Sequence, residues 1–445
     1  MSSGAIDLSA GAPRLEVHRF TLASGLDVTI HPDPDAALIA VSVWYRVGST
    51  DEGPGQSGFA HLYEHLFKNS VHLRGRHHYE VLREAGAVSA NASTSPDRTA
   101  YYEVVPPSAL DLALWIESDR MGYFLPALTA APLEAQKRVV RNERRQRYEN
   151  AAYGAERFAI AETLYPPGHP QRHLTIGLHE DIEASTLEQV ADFYRTWYVP
   201  ANAQLVVSGA VDAAAGEAAV RRWFASFPAS ARPRRPVAIA PAPAAPVVLA
   251  IEDRFAAIPR IHRVWLGPAH GDPDHAALEI LAASLVSTGT GALWRRLVHD
   301  APLAVRVSAW FATTRLGGEW HLAADLRAGT EPAQVRAILD DELARARAGS
   351  INMRDIARCT RRREAGALWR LESVANRAGL IQRGLLHDGD PQALVRELER
   401  DMVVDPDVVA GAARRWLDPA RMVEVETIPR AERMKVIAPT DDDVD

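Results

Sequence analysis

Hydrophobic residues recur along this chain with two different rhythms, and the change from one to the other predicts its elements. Leu15–Leu22, Leu26–His31 and Ala37–Val47 are dense in β-branched and aromatic residues and read as strands. Helical patterns follow at Gly58–Lys68, His78–Ala85, Ser108–Met121 and Leu133–Tyr148. A final apolar run, Ala203–Gly209, predicts a closing strand. Strands, then helices, then a strand predict a mixed α+β sandwich, not a regular βαβ winding.

The stretch from Ser226 to Pro246 carries prolines at 228, 233, 236, 241, 243 and 246, so it cannot be a helix and predicts a stiff, extended linker. Beyond it the first half's plan returns. Val43-Trp44-Tyr45, a loop and the Phe59–Phe67 helix are echoed by Val264-Trp265-Leu266, a loop and a helix at Asp274–Val286. The expected organisation is two homologous α/β-sandwich domains, each a mainly antiparallel sheet flanked by helices. Residues 14–225 form the first and 247–432 the second, with 226–246 as linker and 433–445 as an acidic, disordered tail.

With 445 residues the chain exceeds what one core usually organises, which agrees with two units of about 200 residues. A formal net charge of −7 gives no field that would draw in nucleic acid or an anionic membrane. Cys359 is the only cysteine, so any metal must be held by histidine and carboxylate. No apolar run reaches the ~18–20 residues of a membrane span, and Met1–Pro13 shows no secretory pattern. A cytoplasmic location is expected, with a periplasmic or secreted setting left open.

The chemistry concentrates in Gly58-Phe59-Ala60-His61-Leu62-Tyr63-Glu64-His65-Leu66. On a helix His61 and His65 stand one turn apart on one face, so both imidazoles reach a common ion. Glu64 lies beside them without being a ligand, the H-E-x-x-H order inverted. The same five residues also suit a surface helix with a solvated glutamate. A catalytic zinc takes three protein groups and a water, so a third ligand is needed. Glu143 fits, because Val139 and Val140 on its helix should face the core and carry it inward; Glu134 and Glu149 are weaker alternatives. His77, His78 and His169 are expected to be hydrogen-bonded or solvated. Ser287–Gly291 lacks the Lys-Ser/Thr of a phosphate loop and predicts a helix C-cap and turn.

Several motifs in order extend the pattern: Val43–Gly53, His61-x-x-Glu64-His65, Asn91–Tyr101, Val140-Arg-Asn-Glu143, Gly168-His-Pro170 with Ile176-Gly177, and Phe193–Asn202. Together they resemble the pitrilysin family of zinc peptidases, in particular the short two-domain branch that includes the β subunit of mitochondrial processing peptidase. The resemblance implies half of a clam-shell chamber, one zinc ion per chain held by His61, His65 and Glu143, and Glu64 as the base that activates water. It also implies hydrolysis of unfolded or precursor peptides laid along an edge strand, with Asn91, Ala92 and Ser93 as contacts, although Asn91 also suits a plain turn.

Two departures stand out. Gln136 occupies the place, seven residues before Glu143, where the family commonly has a glutamate outside the ligand set. Val298 and Val305 stand where active relatives carry an Arg and a Tyr that polarise the scissile carbonyl. The implied assembly is a heterodimer in which a homologous, metal-free subunit supplies that pair. A homodimer is the weaker alternative, and Arg295, Arg296 or Arg306 are partial substitutes. The rival readings are a non-catalytic scaffold or peptide-binding subunit, and a lyase resembling S-ribosylhomocysteine lyase. The latter is a short chain with a cysteine ligand and fits poorly.

Overall fold

The computed structural model describes residues 14–430, apart from Asn69 and Ile239; the expected acidic tail lies outside them. The first sheet is built from β1 (His18–Thr21), β2 (Asp27–Pro32), β3 (Ile39–Tyr45), β4 (Ser89–Thr94), β5 (Thr99–Val105) and β6 (Ala203–Gly209). Its helices are α1 (Phe59–Leu66), α2 (His78–Glu84), α3 (Leu110–Gly122), α4 (Ala130–Arg144), α5 (Gly154–Leu164), α6 (His179–Ala184), α7 (Leu187–Trp197) and α8 (Ala213–Phe224). The second sheet comprises β7 (Val247–Asp253), β8 (Arg260–Gly267), β9 (Ala304–Thr313), β10 (Gly318–Leu326) and β11 (Val423–Pro429). With it go α9 (His275–Val286), α10 (Ala292–Trp294), α11 (Pro332–Arg347), α12 (Met353–Leu371), α13 (Val374–His387), α14 (Ala393–Met402) and α15 (Pro406–Trp416). Between the halves the Pro-rich stretch has neither helix nor strand among its described residues.

Strand order shows the duplication more plainly than sequence does. The first sheet runs β1-β2-β6-β3-β5-β4 and the second β7-β11-β8-β10-β9. Without β1 the two orders correspond strand for strand. Each sheet has one parallel pair, β2 with β6 and β7 with β11, and is otherwise antiparallel. The Asn91–Tyr101 stretch, expected as one edge strand, is a hairpin: β4 is the edge and β5 lies inside it.

Every residue of β6 is buried, because helices cover both faces of the sheet. On the inner face Phe59, Leu62, Tyr63 and Leu66 of α1 enter the first core at i, i+3, i+4 and i+7. Each buried side chain of this size contributes about 1.5–3 kcal/mol, enough to fix the rotation of a two-turn helix and leave His61, Glu64 and His65 on its other side.

The outer faces are covered by an exchange. Ala378, Ile381 and Leu385 of α13 pack on Ala40, Val104 and Val206 of the first sheet. There the Gln382 side-chain amide donates to the carbonyls of Ser42 (2.7 Å) and Gln204 (3.1 Å). Reciprocally, Ile160 and Leu164 of α5 pack on Val264, Val423 and Val425 of the second sheet. Buried Glu156 of α5 accepts from His262 Nδ1 and from the Thr427 hydroxyl (2.9 Å), and His262 Nε2 meets His321 Nδ1 at 3.1 Å. Glu156→Leu leaves a buried imidazole and a hydroxyl without their acceptor. The expected cost is about 3–5 kcal/mol in chemical denaturation, followed by circular dichroism; a change under ~1 kcal/mol would show that this contact does not fasten α5.

No described helix is long and apolar enough to cross a membrane.

Candidate metal centre

Three elements meet at the polar side of α1. The helix starts abruptly at Gly58, whose φ of 89° is the left-handed region and whose added Cβ would lie 3.0 Å from Gly177 Cα and Ile176 O. The carboxylate of buried Glu52 accepts from the backbone N–H of Gly58 and of Ala60, each at 2.8 Å. It satisfies two of the donors that every helix N-terminus leaves free. Glu52 stood inside a recognised motif, but nothing in one dimension places it under this helix.

α4 crosses α1 and brings Glu143 in its last turn. Its buried stripe is Leu133, Lys137 and Val140. The expectation that Val139 also faces the core is corrected: it is 44% exposed, because one residue of helix rotates the side chain by ~100° away from the stripe. Directly after Arg144 the helix widens into a π-helical turn, Arg145–Glu149, a feature frequent at functional sites.

His61 Nε2 and His65 Nε2 lie 3.3 Å apart. One oxygen of Glu143, Oε2, is 3.5 Å from the first and 3.2 Å from the second. All three ligand atoms fall within 4.8 Å of one another, and among the described residues no other group of three or more potential ligands converges in this way. The other oxygen of Glu143 pairs with Arg147 at 3.1 Å, so the carboxylate has one side for the imidazoles and one for the guanidinium. Both Nδ1 atoms are buried without a protein hydrogen-bond partner among the described residues. Burial, assisted by the neighbouring His65, brings the His61 pKa down to about 4. The hydrogen bond with His65, more than any other contact, holds Glu143 down to about 2. At neutral pH both groups are therefore in the form that ligates a metal. Two imidazoles and a carboxylate are a donor set that suits zinc with one position left for water.

Glu64 points to the other flank. Its Oε2 accepts a hydrogen bond of 2.6 Å from the Thr94 hydroxyl on β4. Thr94 and Arg147 were missed in the sequence, since only the packed structure shows what they touch. Gln136, two turns before Glu143, is half-buried and outside the donor set. Glu134 bonds Lys137 (2.8 Å), and Glu149 bonds Arg144 (2.9 Å) and His179 (2.8 Å), so neither joins the centre. His78 bonds the Phe67 carbonyl (2.9 Å), His169 accepts from the Gln171 N–H (3.1 Å) and His77 caps α2, all apart from the donor set. Ser287 is the C-cap of α9.

Asn91, Ala92 and Ser93 sit on β4, at the edge of the first sheet, and Asn91 is a strand residue opposite Tyr102, not a turn. Ser95 N–H donates to Arg98 O (2.9 Å), which makes Ser93/Ala100 and Asn91/Tyr102 the bonded pairs of the ladder. The main-chain groups of Ala92 and Thr94 therefore face the open edge. Val298 packs against the second core and Val305 is 53% exposed. Arg296 is paired with Asp341 and Glu342, and Arg306 with Asp325.

Known proteins resemble the chain in sequence and in fold. Residues 27–164 match the family described as insulinase (peptidase family M16), and residues 184–362 match the peptidase M16 inactive domain. The chain is 36% identical over 194 residues to the zinc protease PqqE of Helicobacter pylori, covering 43% of each chain. It is 27% identical over 213 residues to the mitochondrial-processing peptidase subunit beta of Lentinula edodes, covering 48% of this chain and 45% of that one. These alignments span about half the length of the curated relatives. In fold, the chain resembles the crystal structure of a protease from Helicobacter pylori, with a TM-score of 0.87 and 24% identity over 93% of this chain and 100% of that one.

Proposed function

The chain belongs to the M16 (insulinase/pitrilysin) peptidase family, and on that premise we propose that it is a zinc-dependent endopeptidase acting on unfolded or precursor peptides. The observation that carries the reading is the convergence of His61, His65 and Glu143 within 4.8 Å, with Glu64 on the same face of α1. A zinc ion held by these three residues would supply a Lewis acid and a water whose pKa is lowered toward ~7. Glu64 takes the proton from the attacking water and delivers it to the leaving amine. Gln136 tunes the site from outside the donor set. The peptide adds as a strand to β4 along Asn91, Ala92 and Ser93. Main-chain pairing of this kind gives affinity with little demand on sequence, which suits unfolded substrates.

The other half of the chemistry, donors to the developing oxyanion, comes from a homologous metal-free subunit. Val298 and Val305 cannot donate, and the arginines nearest to them in sequence, Arg296 and Arg306, are engaged with carboxylates. One relative is by its name a subunit of a processing peptidase, which supports a paired assembly. The match of the second half to an inactive-domain family favours a second reading, a peptide-binding subunit without catalysis.

Incubating the purified chain with zinc and a long, quenched, unstructured peptide separates these readings. The expected result is one zinc per chain, with cleavage only after a homologous subunit carrying Arg and Tyr is added. Robust cleavage by the chain alone would remove the partner. Absence of both zinc and cleavage in every combination would favour the scaffold.

A further inference from the structure

We propose that Thr94 is a positioning residue that links peptide docking on β4 to the aim of Glu64; the inference rests on the reading of Glu64 as the base. Its side chain and main chain face two different partners. The hydroxyl donates to Glu64 Oε2 at 2.6 Å and so holds one of the two carboxylate oxygens. Its N–H and C=O, by the ladder parity fixed at Ser95 and Arg98, face the open edge where a peptide strand adds. Ala92 shares this parity, with its side chain buried in the first core against which α1 packs. Thr94 is thus the residue at which strand addition and proton transfer touch the same amino acid.

The arrangement is locally braced. Arg98, on the far side of the β4–β5 turn, donates to Ser93 Oγ (2.7 Å) and lies over the Trp44 ring, 4.8 Å from its centroid. Asn91 Oδ1 accepts from the Ala92 N–H (2.9 Å), a group on the open edge. A peptide that pairs with β4 therefore meets a strand already fixed in register, and its bonds to the Thr94 main chain act one rotatable bond away from the hydroxyl that holds Glu64. Glu64 is aimed most firmly when a peptide is in place.

The test compares Thr94→Val, which keeps the β-branched shape without the hydroxyl, with Thr94→Ser, which keeps the hydroxyl. Both are assayed in the active form of the enzyme, the chain alone or the reconstituted pair, with Glu64→Gln in parallel. Thr94→Val is expected to lower kcat ~10- to 100-fold with KM and zinc content near wild type, and Thr94→Ser to restore kcat to within about threefold. Crystal structures give a second readout: Glu64 turned from its wild-type rotamer in Thr94→Val and returned in Thr94→Ser. Wild-type kcat in Thr94→Val, a change in KM alone, or a Ser variant as slow as the Val variant would overturn the proposal while leaving the base in place. Wild-type activity in Glu64→Gln would instead remove the base itself.

Discussion

Glu64→Gln is expected to keep zinc at one per chain and to lower peptide cleavage by roughly 10²–10⁴-fold, the usual contribution of a positioned general base. The amide matches the carboxylate in size, and its oxygen still accepts the Thr94 hydroxyl bond that the wild-type side chain makes. It cannot take up a proton. His61, His65 and Glu143 are untouched, so the donor set stays complete. Zinc measured by mass spectrometry and cleavage of a quenched peptide, both on the form that cleaves (the chain alone or the reconstituted pair), separate loss of metal from loss of chemistry. Retained cleavage with full zinc would show that water is activated elsewhere.

The spacing of His61 and His65 was legible because a helix places i and i+4 on one face whatever surrounds it. β1–β3, β6 and α1–α4 were legible for the same local reason; α5–α8 were not read, and β4 and β5 were expected as one edge strand. Contacts between distant segments were not legible. Nothing in the periodicity of α5 or α13 says which sheet it covers, and each covers the sheet of the other half. Apolar patterning tells that a face is buried, not by what. The same limit explains Val139: a helix rich in arginine has a narrow apolar stripe, and two adjacent valines cannot both lie on it.

The residues around the centre follow this rule. Glu143 was reachable through its motif, but Thr94, Arg147 and Glu52 are defined by what they touch: the Glu64 carboxylate, the second oxygen of Glu143 and a helix end. The duplication was visible as a faint echo of Val43-Trp44-Tyr45 in Val264-Trp265-Leu266, and becomes plain only in the corresponding strand orders. In the second copy Leu278, Ile280 and Leu281 of α9 fill the core, so the helix that corresponds to α1 has no polar side like that of His61, Glu64 and His65.

His65→Ala, and His61→Ala beside it, should abolish stoichiometric zinc binding and with it all cleavage, because two remaining donors do not close a catalytic site. The fall in affinity should exceed the 10- to 100-fold that loss of an outer-shell partner costs. Arg147→Ala provides that milder standard: it frees Glu143 Oε1 but leaves Oε2 facing the imidazoles. Competition against a chromophoric chelator should therefore rank the variants, wild type tightest, Arg147→Ala intermediate and the two histidine variants weakest. Thermal unfolding gives an independent measure, since zinc at about 100 times its Kd stabilises a folded binder by ~2.7 kcal/mol and a non-binder not at all. Acid should mimic the histidine variants. Without metal, burial lowers His61 to about 4 and the hydrogen bond with His65 lowers Glu143 to about 2, so acid makes protons compete with zinc for these groups and weakens its binding. Full zinc stabilisation in His65→Ala at neutral pH would place the ion outside this set, and the proposed chemistry of Glu64 would lose its metal.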